Sequence, residues 1–295
     1  MARGVPKSGF RMTAKRRALM AAGVVKNLNV VKTILPIKKE TEAEIEQKLR
    51  ERFAALDTMT QASVNGITKA VVVSGPAGVG KSHGVLKILE ANRAKCYFNM
   101  ISGYVRPTGL YKALYEFRHK NSVLVFDDAD SIFNDEVSLN LLKKACDTSK
   151  KRVLSYLAES KMEDEDGERL PRSFEFEGTI IFITNLDFEE MIARGSKNAP
   201  HFEALVSRSH YLDLAMKTVD DYVVRIKQVV RDCGMLREAG YTAAEEATIL
   251  AYVVENKEKL RELSLRMVLK LSSLMRIDPN NWRLLAKATC LKQGV

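Results

Sequence analysis

Over residues 40–215 the chain alternates between short apolar runs and stretches whose apolar residues recur every three or four positions. Residues 67–74, 95–101, 122–126, 179–184 and 211–214 have strand length, and most are rich in Val, Ile or Phe. Runs of this kind suit strands buried on both faces. Residues 40–59, 82–94, 108–120, 137–148 and 202–206 carry helical spacing, as in Ile45, Leu49, Phe53 and Leu56. Residues 173–176 alternate polar and aromatic side chains and read as one arm of a hairpin. This alternation predicts an α/β fold with a parallel sheet between helices. Beyond residue 215 the strand pattern stops. Residues 218–233, 242–256, 264–276 and 281–289 read as four helices, several opened by a capping Ser, Thr or Asn. Gly234, Gly240 and Asp278-Pro279 are the expected breaks. Three regions follow: an arm over 1–39, an α/β core over 40–215 and a helical domain over 216–295. No internal repeat is visible.

Charge separates the arm from the rest. Of 47 Lys and Arg, ten lie in residues 1–39, which hold no Asp or Glu. The remaining 37 cations balance 37 acids, so the net charge of +10 belongs to the arm. A basic arm on a neutral body suits a polyanion, because each phosphate contact releases counterions. A solvated tail is the plainer alternative. A transit peptide fits less well, since Pro6, Gly9 and Asn27-Leu28-Asn29 interrupt an amphipathic helix. The 46% hydrophobic and 28% charged residues are ordinary for a folded chain, and no apolar run approaches the ~20 residues of a membrane span. The four cysteines form no C-x-x-C pair, which argues against a zinc or disulfide framework and fits a reducing cytoplasm.

The most specific chemistry lies in Gly75-Pro76-Ala77-Gly78-Val79-Gly80-Lys81-Ser82, a G-x-x-x-x-G-K-[ST] phosphate-binding loop. Its glycines let the backbone curl with N–H groups inward, and the following helix adds its N-terminal dipole. Lys81 is expected to reach the β- and γ-phosphates of ATP, and the Ser82 hydroxyl to ligate Mg²⁺. A β-branched run before the loop and a helix after it make the motif specific. Downstream, Val123–Phe126 runs into Asp127-Asp128, two carboxylates at the C-terminal edge of a central strand. Asp127 is expected to hold the Mg²⁺ and Asp128 to polarise the attacking water. Asp130 reads as solvated or capping, and His83 as a first-turn helix residue.

Together these residues resemble those of AAA+ ATPases, over about residues 60–290. The resemblance implies a P-loop core with a central parallel sheet flanked by helices, followed by a small all-helical lid. It implies that Asn185, after the strand ending in Thr184, is the polar sensor of the γ-phosphate or water. Ser207-Arg208-Ser209 stands where related clamp loaders and initiators carry a Ser-Arg pair, which makes Arg208 an arginine finger for a neighbouring subunit. Leu263-Ser264-Leu265-Arg266 opens a lid helix, which makes Arg266 the lid-borne phosphate sensor. One departure is Asp-Asp where most AAA+ proteins carry Asp-Glu; initiators and helicase loaders share it. The shorter acid weakens the case for fast hydrolysis but not that for ATP binding.

The loop Gly103-Tyr104-Val105-Arg106-Pro107 would face the pore of a ring of about six subunits, where Tyr104, Val105 and Arg106 suit a grip on polypeptide or nucleic acid. A Tyr104 packed on the sheet edge is the alternative. Residues 163–176 form an insertion whose acidic turn argues against DNA contact. Three functions stay open: a motor that remodels or translocates a macromolecule, a slowly hydrolysing assembly switch or loader, and, less well, a P-loop kinase. Residues 104–157 look like small AAA+ ATPases of bacteriophages, implying a bacterial cytoplasm and DNA transactions.

Overall fold

The computed structural model describes residues 40–157, 162–163 and 167–293. The basic arm and acidic residues 164–166 lie outside the described residues. Helix α1 (Glu42–Val64) opens the described chain. Thr41 Oγ1 accepts from the Glu44 N–H at 3.2 Å, and the Glu44 carboxylate accepts from the Thr41 N–H at 2.8 Å. This capping box satisfies two of the helix's orphan donors. The helix runs past residue 59, and Gly66 (φ +66°) turns the chain out of it. Ile67 is therefore 75% exposed, and strand β1 (Ala70–Ser74) starts later than its apolar run suggests.

The strands β2 (Tyr97–Ser102), β3 (Ser122–Asp127), β6 (Thr179–Thr184) and β7 (His210–Asp213) join β1 in one parallel sheet. Its order is β2-β3-β6-β1-β7. Successive side chains on a strand point to opposite faces, and both faces are used. Val71, Val73, Val123, Val125, Ile181 and Ile183 meet Leu56 and Val64 of α1 and Val85 and Leu89 of α2 (Lys81–Ala91). On the other face, Val72, Leu124, Phe126, Ile180 and Phe182 meet α3 (Pro107–Glu116) and α4 (Glu136–Ala145). Helices α5 (Phe188–Ala193) and α6 (Ala199–Val206) complete that face with Phe188 and Phe202. Burial on both sides explains the unbroken apolar runs of β1, β3 and β6.

The expected hairpin arm finds its partner in residues too few to show a period. Strand β4 (Val153–Ser155) pairs antiparallel with β5 (Ser173–Glu175). Its base is pinned by buried Arg152, which donates to Ala145 O at 2.6 Å and Gly178 O at 2.8 Å. Gly178 is required there, because a Cβ would lie 2.2 Å from Phe117 O.

The C-terminal helices α7 (Val219–Asp232), α8 (Met235–Glu238), α9 (Ala243–Glu255), α10 (Leu265–Ile277) and α11 (Trp282–Thr289) enclose their own core. Ile226, Ile249, Val253, Val268 and Leu271 lie at its centre. Helix α1 bridges this lid and the sheet. Its N-terminal half meets α7 through Lys48–Asp221 at 3.2 Å, Glu42–Lys227 at 2.6 Å and Arg50–Asp232 at 2.8 Å. Its C-terminal half packs Leu56 and Val64 under the sheet.

Candidate nucleotide-binding site

The neighbouring central strands β3, β6 and β1 end at one edge of the sheet and bring the sequence's candidate residues together there. In register, Ser74 lies beside Thr184, and Asp127 beside Ile183. The loop after β1 curls through positive φ at Gly75 (+155°), Gly78 (+72°) and Gly80 (+98°) before α2 begins at Lys81. Lys81 is 5% exposed. Its ammonium donates to Gly75 O, to Pro76 O at 3.0 Å and to Asn185 Oδ1 at 2.9 Å. Burial pushes its pKa down to about 8, against the opposing pull of Asp128, Asp127 and Asp130. A buried cation inside a backbone curl fits a phosphate anion, whose charge would offset the desolvation.

The acids are linked to the loop. Ser82 Oγ donates to Asp127 Oδ1 at 2.8 Å, so hydroxyl and carboxylate oxygens converge at the start of α2. Burial raises the Asp127 carboxyl, with the Ser82 hydrogen bond opposing. Two adjacent oxygen donors suit the hard cation Mg²⁺, whose remaining ligands would be water and phosphate oxygens. Asp128 has left-handed backbone (φ +51°), a conformation Asp tolerates better than most residues. Its Oδ1 accepts from Asn185 Nδ2 at 2.8 Å. Asn185 thus bridges Lys81 and Asp128 with the two ends of one amide. Asp130 is not simply solvated or capping: it is partly buried and accepts from Thr184 Oγ1 at 2.6 Å. Burial raises its carboxyl. The hydroxyl also accepts from the Leu186 N–H at 3.0 Å, which fixes the turn that presents Asn185.

The lid touches the loop from outside. The Leu265 N–H donates to Gly78 O at 2.8 Å, and Arg225 Nε of α7 donates to Val79 O at 3.1 Å. A Cβ on Gly78 would lie 2.8 Å from Ser264 Cβ. Arg266 is close enough for its charge to lower both Lys81 and Asp127. A cleft of about 370 Å³ opens between Pro76 and Ala77 of the loop and Tyr222, Lys257, Arg261 and Ser264 of the lid.

Four candidates lie apart from this cluster. Arg208, beyond α6, donates to Ala204 O at 2.8 Å. Tyr104 is 79% exposed, not packed on the sheet edge. Val105 turns inward against the core, and its N–H donates to Ser131 Oγ at 2.9 Å. Arg106 is exposed at the N-terminus of α3. Glu163 pairs with Arg169 in an antiparallel bridge, and the rest of the acidic turn lies outside the described residues. Among the described residues no His, Cys, Asp or Glu cluster suits a transition metal, and no helix is long and apolar enough to cross a membrane.

Sequence reading missed the lid contact of Arg225 and the Asp130–Thr184 pair. The former had a faint signal. Asp221, Arg225 and Gln228 recur with helical spacing on α7, amid the apolar residues Val224 and Val229.

The parallel core followed by a helical lid, with loop, acidic pair and Asn185 on one edge, is the arrangement that the resemblance to AAA+ proteins implies. No family model matches the chain. Among solved structures, domain III of the Thermotoga maritima replication initiation protein DnaA is 12% identical, with 82% of this chain and 92% of that one covered at a TM-score of 0.49. The Thermotoga maritima RuvB Holliday junction branch migration motor is 16% identical, with 84% and 69% covered at 0.43. NtrX from Brucella abortus, in complex with ATP, is 16% identical, with 91% and 68% covered at 0.39. In sequence, an uncharacterized 36.7 kDa protein from the nrdC-mobD intergenic region of Enterobacteria phage T4 is 37% identical over 250 residues. That match covers 84% of this chain and 76% of the phage protein, and the chain belongs to the same family as that protein.

Proposed function

We propose that this chain is an AAA+ ATPase that binds Mg-ATP at residues 75–82 and hydrolyses it in an oligomer. The observation that supports this most is the pair of side-by-side linkages Ser82–Asp127 and Lys81–Asn185–Asp128, drawn from the segments that follow three separate strands. In this reading Lys81 and the loop N–H groups bind the β- and γ-phosphates. Ser82 and Asp127 hold Mg²⁺, which neutralises phosphate charge when bound. Asp128 orients and polarises the attacking water, and Asn185 aligns Asp128 with the phosphate. Arg266 meets the γ-phosphate from the lid.

Arg208 completes the site of a neighbouring subunit in a ring or spiral of about six. Its hydrogen bonds to Ala204 O and Ser207 Oγ anchor it at the end of α6, away from its own loop. An arginine that meets transition-state charge is worth orders of magnitude in rate. Hydrolysis then drives remodelling, loading or translocation of a macromolecule in a bacterial host's cytoplasm. The ten cations of residues 1–39 favour nucleic acid as that macromolecule. Exposed Tyr104, with Arg106, suits contact with either a nucleic acid or a polypeptide.

A second reading is a slow, nucleotide-switched loader. The short Asp128 carboxylate favours it, since an acid one methylene shorter than Glu must approach the attacking water differently. Mixing Arg208→Ala with Lys81→Ala protein tests the shared site: partial recovery of turnover is expected, and no recovery at any ratio contradicts it. Turnover measured with single-stranded DNA, duplex DNA and unfolded protein separates the macromolecules. ATPase and binding indifferent to DNA and RNA at low salt would remove the nucleic-acid role.

A further inference from the structure

Two adjacent peptide units of the phosphate loop are gripped at their carbonyl ends by the lid. A trans peptide is planar, with its C=O and N–H pointing in opposite directions. The described chain contains no cis peptide. Holding the Gly78 carbonyl therefore sets the direction of the Val79 N–H, and holding the Val79 carbonyl sets that of the Gly80 N–H. The first carbonyl is held by the Leu265 N–H at the start of α10, at 2.8 Å. The second is held by Arg225 Nε from the middle of α7, at 3.1 Å.

Arg225 is itself located by α1. Its guanidinium lies on the Phe53 ring, with Cζ 3.2 Å from the ring centroid. Its Nη1 reaches Gln228 Oε1 at 3.5 Å, and Gln228 Nε2 donates to Glu46 O at 2.8 Å. Desolvation lowers Arg225 to about 10, with Asp57 and Asp232 opposing. Burying a cation is costly where an apolar side chain would fill the same space. What Leu or Met cannot do is donate to the Val79 carbonyl.

We propose that Arg225 is a positioning residue for nucleotide binding: it fixes the 79–80 peptide so that phosphate capture and lid seating are one coupled event. This rests on residues 75–82 being the phosphate site. Ligand entry that tilts the 79–80 peptide strains or relaxes the Arg225 hydrogen bond, and α7 carries the change into the lid. The neighbouring grip at Leu265 responds with it, because both donors belong to that lid.

The test compares wild type, Arg225→Met, Arg225→Lys and Lys81→Ala in the full chain. Three quantities are read: the Kd for Mg-ATP, the hydrogen exchange of the Leu265 amide with and without ATP, and the Tm. Arg225→Met keeps an apolar stem but loses every donor. Its Kd is expected to rise roughly tenfold, the usual worth of one charge-assisted hydrogen bond. ATP is expected to slow the Leu265 amide in wild type and to leave it unchanged in Arg225→Met. Arg225→Lys, which keeps one charged donor nitrogen, should fall between. An Arg225→Met protein that binds ATP within twofold of wild type and slows Leu265 equally overturns the proposal, whatever its Tm. If Arg225→Met does not fold, the same two outcomes are read from Arg225→Lys. If wild type does not bind ATP, or Lys81→Ala binds it equally well, the phosphate-site reading itself fails.

Discussion

The inner and outer sides of the loop at 75–82 are held by different means. Inside, side chains from the start of α2 and from two strand ends converge: Lys81, Ser82, Asp127 and Asn185, with every link under 3.1 Å. Outside, carbonyl oxygens of the loop accept from the lid. The inner set has the chemistry to meet phosphate and metal. The outer set has none, but it fixes the direction in which the inner donors point. In the proposed reading affinity depends on the lid as well as on the motif, and each side can be broken separately.

The largest expected effect on the outer side is at Gly78. Gly78→Ala places a Cβ 2.8 Å from Ser264 Cβ on a backbone of φ +72°. The left-handed strain alone costs about 1–2 kcal/mol, and the clash pushes the start of α10 off the loop. ATP affinity measured by calorimetry should fall by at least tenfold. Ser264→Gly in the same chain should restore part of it, because glycine at an N-cap costs only a few tenths of a kcal/mol. No restoration would show that the lid contact is not the cause.

On the inner side, Asp128→Asn should keep ATP affinity and lower turnover by about a hundredfold or more, the usual scale of a lost acid–base group. Full turnover in that variant would remove Asp128 from the chemistry. The smallest effect is that of pH. Lys81 in the empty protein titrates at about 8, lowered by burial. Bound phosphate raises that value, so above pH 8 binding takes up a proton. The Kd for ATP should rise about eightfold between pH 7.5 and 9. A flat profile would mean that the Lys81 ammonium is not what the phosphate meets.

The inner side was legible in the sequence because its chemistry is local. Eight consecutive residues define the loop, and Asp127-Asp128 follows an unmistakable apolar strand. Asn185 was legible by its place after the strand that ends in Thr184. The outer side was not. Arg225 falls amid apolar positions on α7, and its helical spacing with Asp221 and Gln228 is only a faint local sign of a contact. It is drawn in by Phe53, some 170 residues earlier. Asp130 looks solvated in the sequence for the same reason, since Thr184 becomes its neighbour only when β3 and β6 pair. Apolarity alone would begin β1 at Ile67, because it does not mark the turn at Gly66. Pairing across the sheet and docking of α1 on the lid supply what periodicity omits.

The central claim is that residues 75–82 bind Mg-ATP through a buried lysine. Calorimetric titration of wild type and Lys81→Ala with Mg-ATP at pH 7.5 tests it most directly. Saturable one-to-one binding is expected for wild type, with binding lost or at least a hundredfold weaker in Lys81→Ala. Equal affinity in the two proteins, or none in either, would contradict it.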